Sequence, residues 1–512
     1  MLDRVVDDTL TTPGRGDADP SKTLDVCGAL APGWDLPYFL SLSSISFCHR
    51  PFSPALTTAT SLSDESAAPL RESSVPLRVA VQHFGCKLNQ YEAEAFRSGF
   101  QGRGYEVVAF DEGADVYVVN TCTVTGSGDA DSRRAVRRAH RRQPDAFVVA
   151  TGCYAQRRPD HLTDAGASLV IGNGDKAGLV EAVSHQLAGH PALPMFDPAE
   201  RPRTERFLQI DHAVDGGRTR GTLQIQDGCD EHCTYCIIPT VRGAGVSRPA
   251  DEVIAQASRM VVAGYRELAL TGVHSGSYGH DREDVAALVD LLRRLEDIHG
   301  LERIRLNSIE PCYVTDDLVD YVAGSARFCR HLHIPLQSGD DSILRRMGRR
   351  YTSAEYGDRM RQIAERIPGC ALGADVMVGF PGESDDQHES TRAFLDGLPL
   401  TYLHVFSYSL RDGTPAERLP GHVTPQTKKA RSRDLIDLGL AKRLAFNKSH
   451  VGTAVRVLTE QIADDGLATG LTDNYLRVRY EPGPHTASNH FDTVRITRAR
   501  EDLVFGEQIA QP

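Results

Sequence analysis

The chain has 512 residues, 57 Lys+Arg against 69 Asp+Glu for a net charge of −12, 40% hydrophobic residues and 11 cysteines. At roughly 150 residues per domain this length points to about three domains, and the balance of apolar and charged residues excludes a disordered or fibrous chain. No apolar run is long enough to span a bilayer as a helix, the acidic opening MLDRVVDDTL lacks the basic start and apolar core of a secretory signal, and the negative charge leaves any nucleic-acid contact to local basic patches.

Residues 1–76 are rich in Ser, Thr, Pro, Ala and Asp, hold ten acids against five bases, and show no sustained period. A disordered tail is expected there, with Cys27 and Cys48 incidental. Regular structure begins at LRVAVQHFGC. Between 77 and 187 an apolar β-branched run, a cysteine and a helical stretch recur three times, in LRVAVQHFGC, DVYVVNTC and FVVATGC, ending at Cys86, Cys122 and Cys153. Strands alternating with helices predict a parallel α/β sheet. Functional groups gather beyond the carboxyl ends of such strands, so cysteines 36 and 31 residues apart in sequence converge on one metal site. The helix after Cys122 carries Arg133, Arg134, Arg137, Arg138, Arg141 and Arg142 at spacings that form a double stripe. It reads as a phosphate track or as a solvated face. RRMGRR (345–350) and KKARSR (428–433) could extend it.

After a Pro-containing linker, GHPALPMFDPAERPRTERF, a second series of strands is expected at TLQIQ (222–226), ELALTG (267–272), RIRLNS (303–308), HLHIPL (331–336), GADVMVGF (373–380) and YLHVFSY (402–408). Six βα units are too few for a closed eight-stranded barrel and predict a partial one. From about 446 the chain turns to β, with AVRVLTE, LATGLT, YLRVRYE and DTVRITRA predicting a small β-barrel of the nucleic-acid-binding sort. Its seven bases against nine acids add no positive pull. The predicted architecture is therefore α/β: an N-terminal parallel α/β domain at 77–190, a partial (β/α)6 barrel at 215–445 and a small β-barrel at 446–512.

The strongest local signal is DGCDEHCTYCIIP, which spaces Cys229, Cys233 and Cys236 as C-x3-C-x2-C on the loop after the first barrel strand. Three thiolates on one loop can hold three irons of a [4Fe–4S] cluster and leave the fourth open. Zinc, which prefers four closed ligands, is the competing metal; His232, abutting Cys233, is awkwardly placed to be the fourth. Structural thiols without metal are the third reading. Cys312, Cys329 and Cys370 follow no ligand spacing and read as single buried thiols.

This loop, with Tyr235 before its last cysteine, resembles the radical S-adenosylmethionine superfamily, in which the open iron binds S-adenosylmethionine and one electron cleaves it to a 5′-deoxyadenosyl radical. A three-cysteine domain, a radical core and a C-terminal β domain of the TRAM type together resemble the methylthiotransferases over residues 77–510. TGVHSGSYG, RIRLNSIEP, HLHIPLQSGDDSILRRMGRRYT and GADVMVGFPGE resemble blocks of that family. The resemblance implies that Cys86, Cys122 and Cys153 ligate a second [4Fe–4S] cluster that handles sulfur. It implies that S-adenosylmethionine lies near Tyr235, the glycines Gly272, Gly276 and Gly279, and Asp375, Gly379 and Glu383, though the three glycines read equally as ordinary turn residues. Gln337 and Ser338 end the fourth strand and read either as facing the same cavity or as a structural polar cap. FGCKLNQYEAEA, through Lys87, Asn89, Tyr91 and Glu92, resembles the subfamily that acts on threonylcarbamoyladenosine in tRNA. The isopentenyladenosine and ribosomal-protein subfamilies more often show Gln-Met or Pro-Lys after the first cysteine. The implied activity is methylthiolation of C2 of N6-threonylcarbamoyladenosine at tRNA position 37. It would use two S-adenosylmethionine molecules, two clusters, an electron donor and a sulfur donor, in the cytoplasm and away from membranes. The alternatives are methylthiolation of isopentenyladenosine tRNA or of a ribosomal-protein aspartate, and a non-catalytic RNA-binding protein with structural clusters.

Overall fold

The computed structural model describes residues 76–190, 202–204, 206–211 and 219–509. The expected tail lies outside these residues except at its last position, as does most of the expected linker.

Strands β1 (Arg78–His83), β2 (Glu106–Val108), β3 (Val116–Thr121), β4 (Phe147–Gly152) and β5 (Leu169–Val170) form a parallel sheet in the order β2-β1-β3-β4-β5. β3 is buried at every position, which a central parallel strand covered on both faces requires. Helix Lys87–Gln101 packs Tyr91, Phe96 and Phe100 against Val79, Val81, Val116 and Val118 on one face. Helix Gly126–Arg142 lays Ala135, Val136 and Ala139 against Tyr117, Val119 and Val148 on the other. The Thr125 hydroxyl caps that helix by accepting from the Gly128 N–H.

The second series comprises β6 (Arg220–Gln224), the short pair β7 (Gln226–Asp227) and β8 (Val246–Ser247), then β9 (Glu267–Thr271), β10 (Arg303–Leu306), β11 (His331–His333), β12 (Ala371–Val378) and β13 (Tyr402–Ser407). β6-β9-β10 and β11-β12-β13 are each parallel. A parallel bridge between Ile304 and Phe328 joins them, so six strands make the open arc that the βα count predicted. Outer helices seal it: Ala250–Val262, for example, sets Val253, Ala257 and Met260 against Leu223 and Leu268.

Helix Pro425–Ser449 packs on β13 and leads into a closed barrel of β14 (Ala454–Ile462), β15 (Ala468–Thr472), β16 (Arg477–Glu481), β17 (Phe491–Ala499) and β18 (Val504–Gln508). The helix runs past the expected onset of β structure at 446, and β18 has no counterpart among the predicted strands. Its sequence, VFGEQ, is short and broken by Gly506. A Cβ there would lie 2.4 Å from Val494 Cγ1 and 2.6 Å from the Arg495 carbonyl, so the closing strand must carry the residue that hides its pattern.

This small barrel stoppers the amino-terminal end of the arc. Arg303 donates to the carbonyls of Leu471 at 2.9 Å and Arg456 at 2.6 Å, and Arg305 to those of Thr472 and Asp473, both at 3.1 Å. Buried Glu267 balances the two arginines, and Tyr475 stacks on His331 at 4.4 Å. The carboxyl-end face remains for ligands.

Candidate active site: two cysteine groups

Cys86 follows β1 and precedes helix Lys87–Gln101, Cys122 follows β3, and Cys153 follows β4 as the first residue of the short helix Cys153–Arg157. The three thus stand at the carboxyl ends of three adjacent strands, since β1, β3 and β4 are neighbours. Gly85 has φ +84°, and a Cβ there would lie 2.5 Å from Cys122 Sγ, so only glycine lets the first loop pass this closely. Burial pushes the Cys122 thiol up to about 12, and nearby Cys153 and Cys86 push in the same direction.

The second group is shaped by β7 and β8, which pair antiparallel and close the loop between them. Within it the Cys229 N–H donates to the Gly243 carbonyl at 3.0 Å, and the Glu231 N–H donates to Cys229 Sγ at 3.4 Å. Thr234 is tied at both backbone ends, to Met347 and Ala416, each at 2.9 Å. Burial pushes Cys229 and Cys236 up to about 12.

Thiols this resistant to ionisation become ligands when a strong cation replaces their protons. Zinc holds sulfur at about 2.3 Å, so tetrahedral sulfurs lie about 3.8 Å apart. Among the described residues neither cysteine triad brings its ligand atoms within 4.8 Å of one another. A [4Fe–4S] cluster, which takes each thiolate on a separate iron, needs its sulfurs wider apart than zinc does. His232 is exposed and joins neither triad.

Each group also receives an arginine that sequence reasoning did not assign to it. Arg349, whose side chain is 4% exposed, donates to Cys233 Sγ at 3.2 Å and the Tyr235 hydroxyl at 3.4 Å, and pairs with Glu310. It belongs to RRMGRR, so that segment is not one surface stripe: Arg345 and Arg350 are exposed and Arg349 is inside. KKARSR divides likewise, with Arg431 buried against Glu383 at 2.6 Å.

Arg242 links the two groups. It ends helix Ile238–Arg242, whose N-cap Ile237 follows Cys236, with a side chain 1% exposed. Its Nε donates to Cys153 Sγ at 3.2 Å, and its other nitrogens donate to Asn89 at 2.7 Å, Asp227 at 2.9 Å and Glu92 at 3.0 Å. Ile237 and Val241 of the same segment pack on Cys153. Lys176 completes a buried set of two cations and two carboxylates. Burial alone would raise the Glu92 carboxyl; Arg242 and Lys176 outweigh it and hold it below the usual range. Asn89 and Glu92, two of the residues that distinguished the FGCKLNQYEAEA block, therefore hold the arginine between the cysteine groups. The signal in the sequence was faint, a lone arginine after the apolar run IIPTV. Arg242→Met should leave Glu92 and Asp227 buried against one lysine and cost about 3–5 kcal/mol. Urea unfolding would measure it; a loss under about 1 kcal/mol would mean the network is not coupled.

Beside Cys233 opens a cavity of about 300 Å³ lined in part by Gly276, Glu310, Tyr313 and Arg349. The structure thus brings Gly276 to the cysteine loop that carries Tyr235. Gly272 packs on Gln226. Gln337 lies outside that cavity, in the left-handed region at φ +72°, and bridges to Val376. Asp375 also lies outside it, facing His333 and His404. Ser338 contacts Thr391. Cys329 and Cys370 are buried as expected, whereas Cys312 is exposed and lines the cavity.

On helix Gly126–Arg142, Arg134, Arg137, Arg138, Arg141 and Arg142 are exposed. Arg133 is drawn onto the Tyr154 ring and hydroxyl, Arg138 onto Gln82 and Phe110, and Arg142 onto the Asp111 carbonyl. Among the described residues no helix is long and apolar enough to cross a membrane.

Residues 78–172 match the family described as Uncharacterized protein family UPF0004, and residues 223–395 match the Radical SAM superfamily. The threonylcarbamoyladenosine tRNA methylthiotransferase MtaB of Bacillus subtilis is 38% identical over 79% of this chain and 90% of its own length. Its namesake from Aquifex aeolicus is 36% identical over 79% and 97%. The tRNA-2-methylthio-N(6)-dimethylallyladenosine synthase of Hahella chejuensis is 30% identical over 84% and 98%. Among solved structures, the radical S-adenosylmethionine methyltransferase TsrM of Kitasatospora setae superposes with a TM-score of 0.50 at 17% identity, covering 80% of this chain and 81% of that one.

Proposed function

Because this chain belongs to the radical S-adenosylmethionine methylthiotransferase family, we propose that it places a methylthio group on C2 of N6-threonylcarbamoyladenosine at position 37 of tRNA. The observation that carries the reaction is the segment that follows Cys236, which sets Ile237 and Val241 against Cys153 and Arg242 on its sulfur, so that the two triads are joined through one packed segment. The choice of nucleoside is supported by the higher identity to relatives named for threonylcarbamoyladenosine than to the one named for dimethylallyladenosine.

Cys229, Cys233 and Cys236 would hold one [4Fe–4S] cluster and Cys86, Cys122 and Cys153 a second. When bound, the first supplies the electron that cleaves S-adenosylmethionine to the hydrogen-abstracting radical, and the second a place where sulfur is methylated and passed on. Arg349 and Arg242 place N–H donors on one sulfur of each triad, which stabilises the thiolate and tunes the ligand field. The Tyr235 segment is pinned through Thr234, so the loop keeps its shape as ligands enter. Tyr235, on the cysteine loop, and Gly276, in the wall of the cavity beside Cys233, are the proposed contacts of S-adenosylmethionine; the expected contacts Gly272, Gln337 and Asp375 do not line that cavity. The small barrel at the amino-terminal end of the arc excludes water from below, which protects a radical from side reactions.

The proposed tRNA contact is the arginine helix. Arg137 and Arg141 are exposed and have no side-chain partner among the described residues, so they are free for phosphate. Arg137→Gln/Arg141→Gln should weaken tRNA affinity and reduce the slope of log affinity against log salt by about 2; an unchanged slope would assign the face to solvent alone.

The substrate is tested by mass spectrometry of tRNA nucleosides from cells lacking the gene. Loss of the 2-methylthio form with accumulation of threonylcarbamoyladenosine is expected. Retention of that form, with loss of another methylthio nucleoside, would overturn the assignment.

A further inference from the structure

Sharing no residue with either cysteine group, three side chains on consecutive strands of the arc converge: His333 on β11, Asp375 on β12 and His404 on β13. Parallel pairing sets Asp375 directly opposite His404, and His333 two residues along, opposite Gly373. Period-2 alternation then turns all three to one face of the sheet. Their ligand atoms lie within 4.8 Å of one another, a property no other group of three His, Cys, Asp or Glu shares among the described residues.

We propose that His333 Nε2, Asp375 Oδ1 and His404 Nδ1 form a binding site for one divalent first-row transition ion, separate from both cysteine groups. The distances suit a common ion. Ligands at about 2.1 Å from a metal lie about 3.0 Å apart in octahedral and about 3.4 Å apart in tetrahedral geometry. Asp375 Oδ1 lies 2.9 Å from His333 Nε2 and 3.3 Å from His404 Nδ1. Two imidazoles and one carboxylate are the borderline-hard donors that take Fe2+, Mn2+ or Zn2+, not the thiolates that take a cluster.

The surroundings are those of a metal ligand set. His333 Nδ1 meets the Tyr402 hydroxyl at 3.0 Å, and that hydroxyl meets His331 Nε2 at 2.7 Å. Such an outer partner on the second ring nitrogen fixes the tautomer and aims the first nitrogen at the ion. The side chains grade outward, from 7% exposed at His333 to 22% at Asp375 and 51% at His404. The buried histidine is the anchor, and the exposed one stands on the edge strand of the arc, which gives an entry path. Three protein ligands leave coordination positions open on that side for water or another oxygen donor. Two imidazole N–H groups donating to one carboxylate oxygen would have the same distances without an ion, and the experiment separates these states.

Protein with both cysteine groups loaded with iron and sulfide, so that no thiolate is free, is titrated with Mn2+ alone, and free Mn2+ is read by electron paramagnetic resonance. Saturable binding of about one ion per chain is expected, with displacement by Zn2+. His404→Ala and Asp375→Asn should each weaken it by about tenfold or more, since even outer partners of metal ligands are worth that much. Tyr402→Phe should weaken it less than either. The iron–sulfur absorption should stay unchanged, which reports intact folding independently. No saturable Mn2+ binding in the parent, or equal binding in the His404→Ala and Asp375→Asn variants, would overturn the site and leave a hydrogen-bonded triad.

Discussion

Cys229→Ala/Cys233→Ala/Cys236→Ala protein, reconstituted without oxygen, is expected to keep about four of the parent's roughly eight irons and to release no 5′-deoxyadenosine from S-adenosylmethionine. The two halves of this result have separate causes. The remaining triad stands on the N-terminal sheet, where Cys86, Cys122 and Cys153 end three neighbouring strands, and none of the three altered residues belongs to that sheet. Asn89, bonded to the carbonyls of Phe84 at 2.8 Å and Thr121 at 3.0 Å, keeps the turns around Cys86 and Cys122 in place. The lost triad is where the open iron and the sulfonium would meet, and Arg349 without Cys233 has no sulfur to address. Iron content and 5′-deoxyadenosine are measured on the same sample. Cleavage at the parental rate would remove the Cys229 loop from the reaction, and loss of all iron would mean that the groups do not load independently.

The features legible in the sequence are those set by local spacing. C-x3-C-x2-C is read within one loop, and the strand-end rule located Cys86, Cys122 and Cys153 because parallel strands bring their carboxyl ends side by side. The partial barrel followed from counting βα units, and all six strand starts lie within two residues of their expected positions. What escaped was decided by tertiary contact. Arg242 and Arg349 are indistinguishable in composition from the exposed arginines of the Arg133–Arg142 helix, yet each is inside, on a cysteine sulfur. Arg133 shows the converse: its spacing put it in the stripe, but the Tyr154 ring lies within reach and draws it away. His333, Asp375 and His404 are far apart in the chain and meet through strand order alone.

The larger expected effect concerns the other triad. Cys86→Ala/Cys122→Ala/Cys153→Ala protein keeps the Cys229 loop, the Thr234 pins and Arg349, none of which belongs to the N-terminal sheet. It should therefore still cleave S-adenosylmethionine. Product formation should fall to nothing, because no thiolate remains to hold the group on which sulfur is methylated. Arg242 would lose its sulfur contact but keep Glu92 and Asp227, so the fold should persist and circular dichroism should match the parent. The division of labour between the two cysteine groups is tested most directly by incubating this variant with dithionite, S-adenosylmethionine and tRNA bearing threonylcarbamoyladenosine, then quantifying both products by mass spectrometry. The expected result is 5′-deoxyadenosine with no 2-methylthio nucleoside. A parental yield of the methylthio nucleoside would contradict the account and reduce Cys86, Cys122 and Cys153 to structural residues.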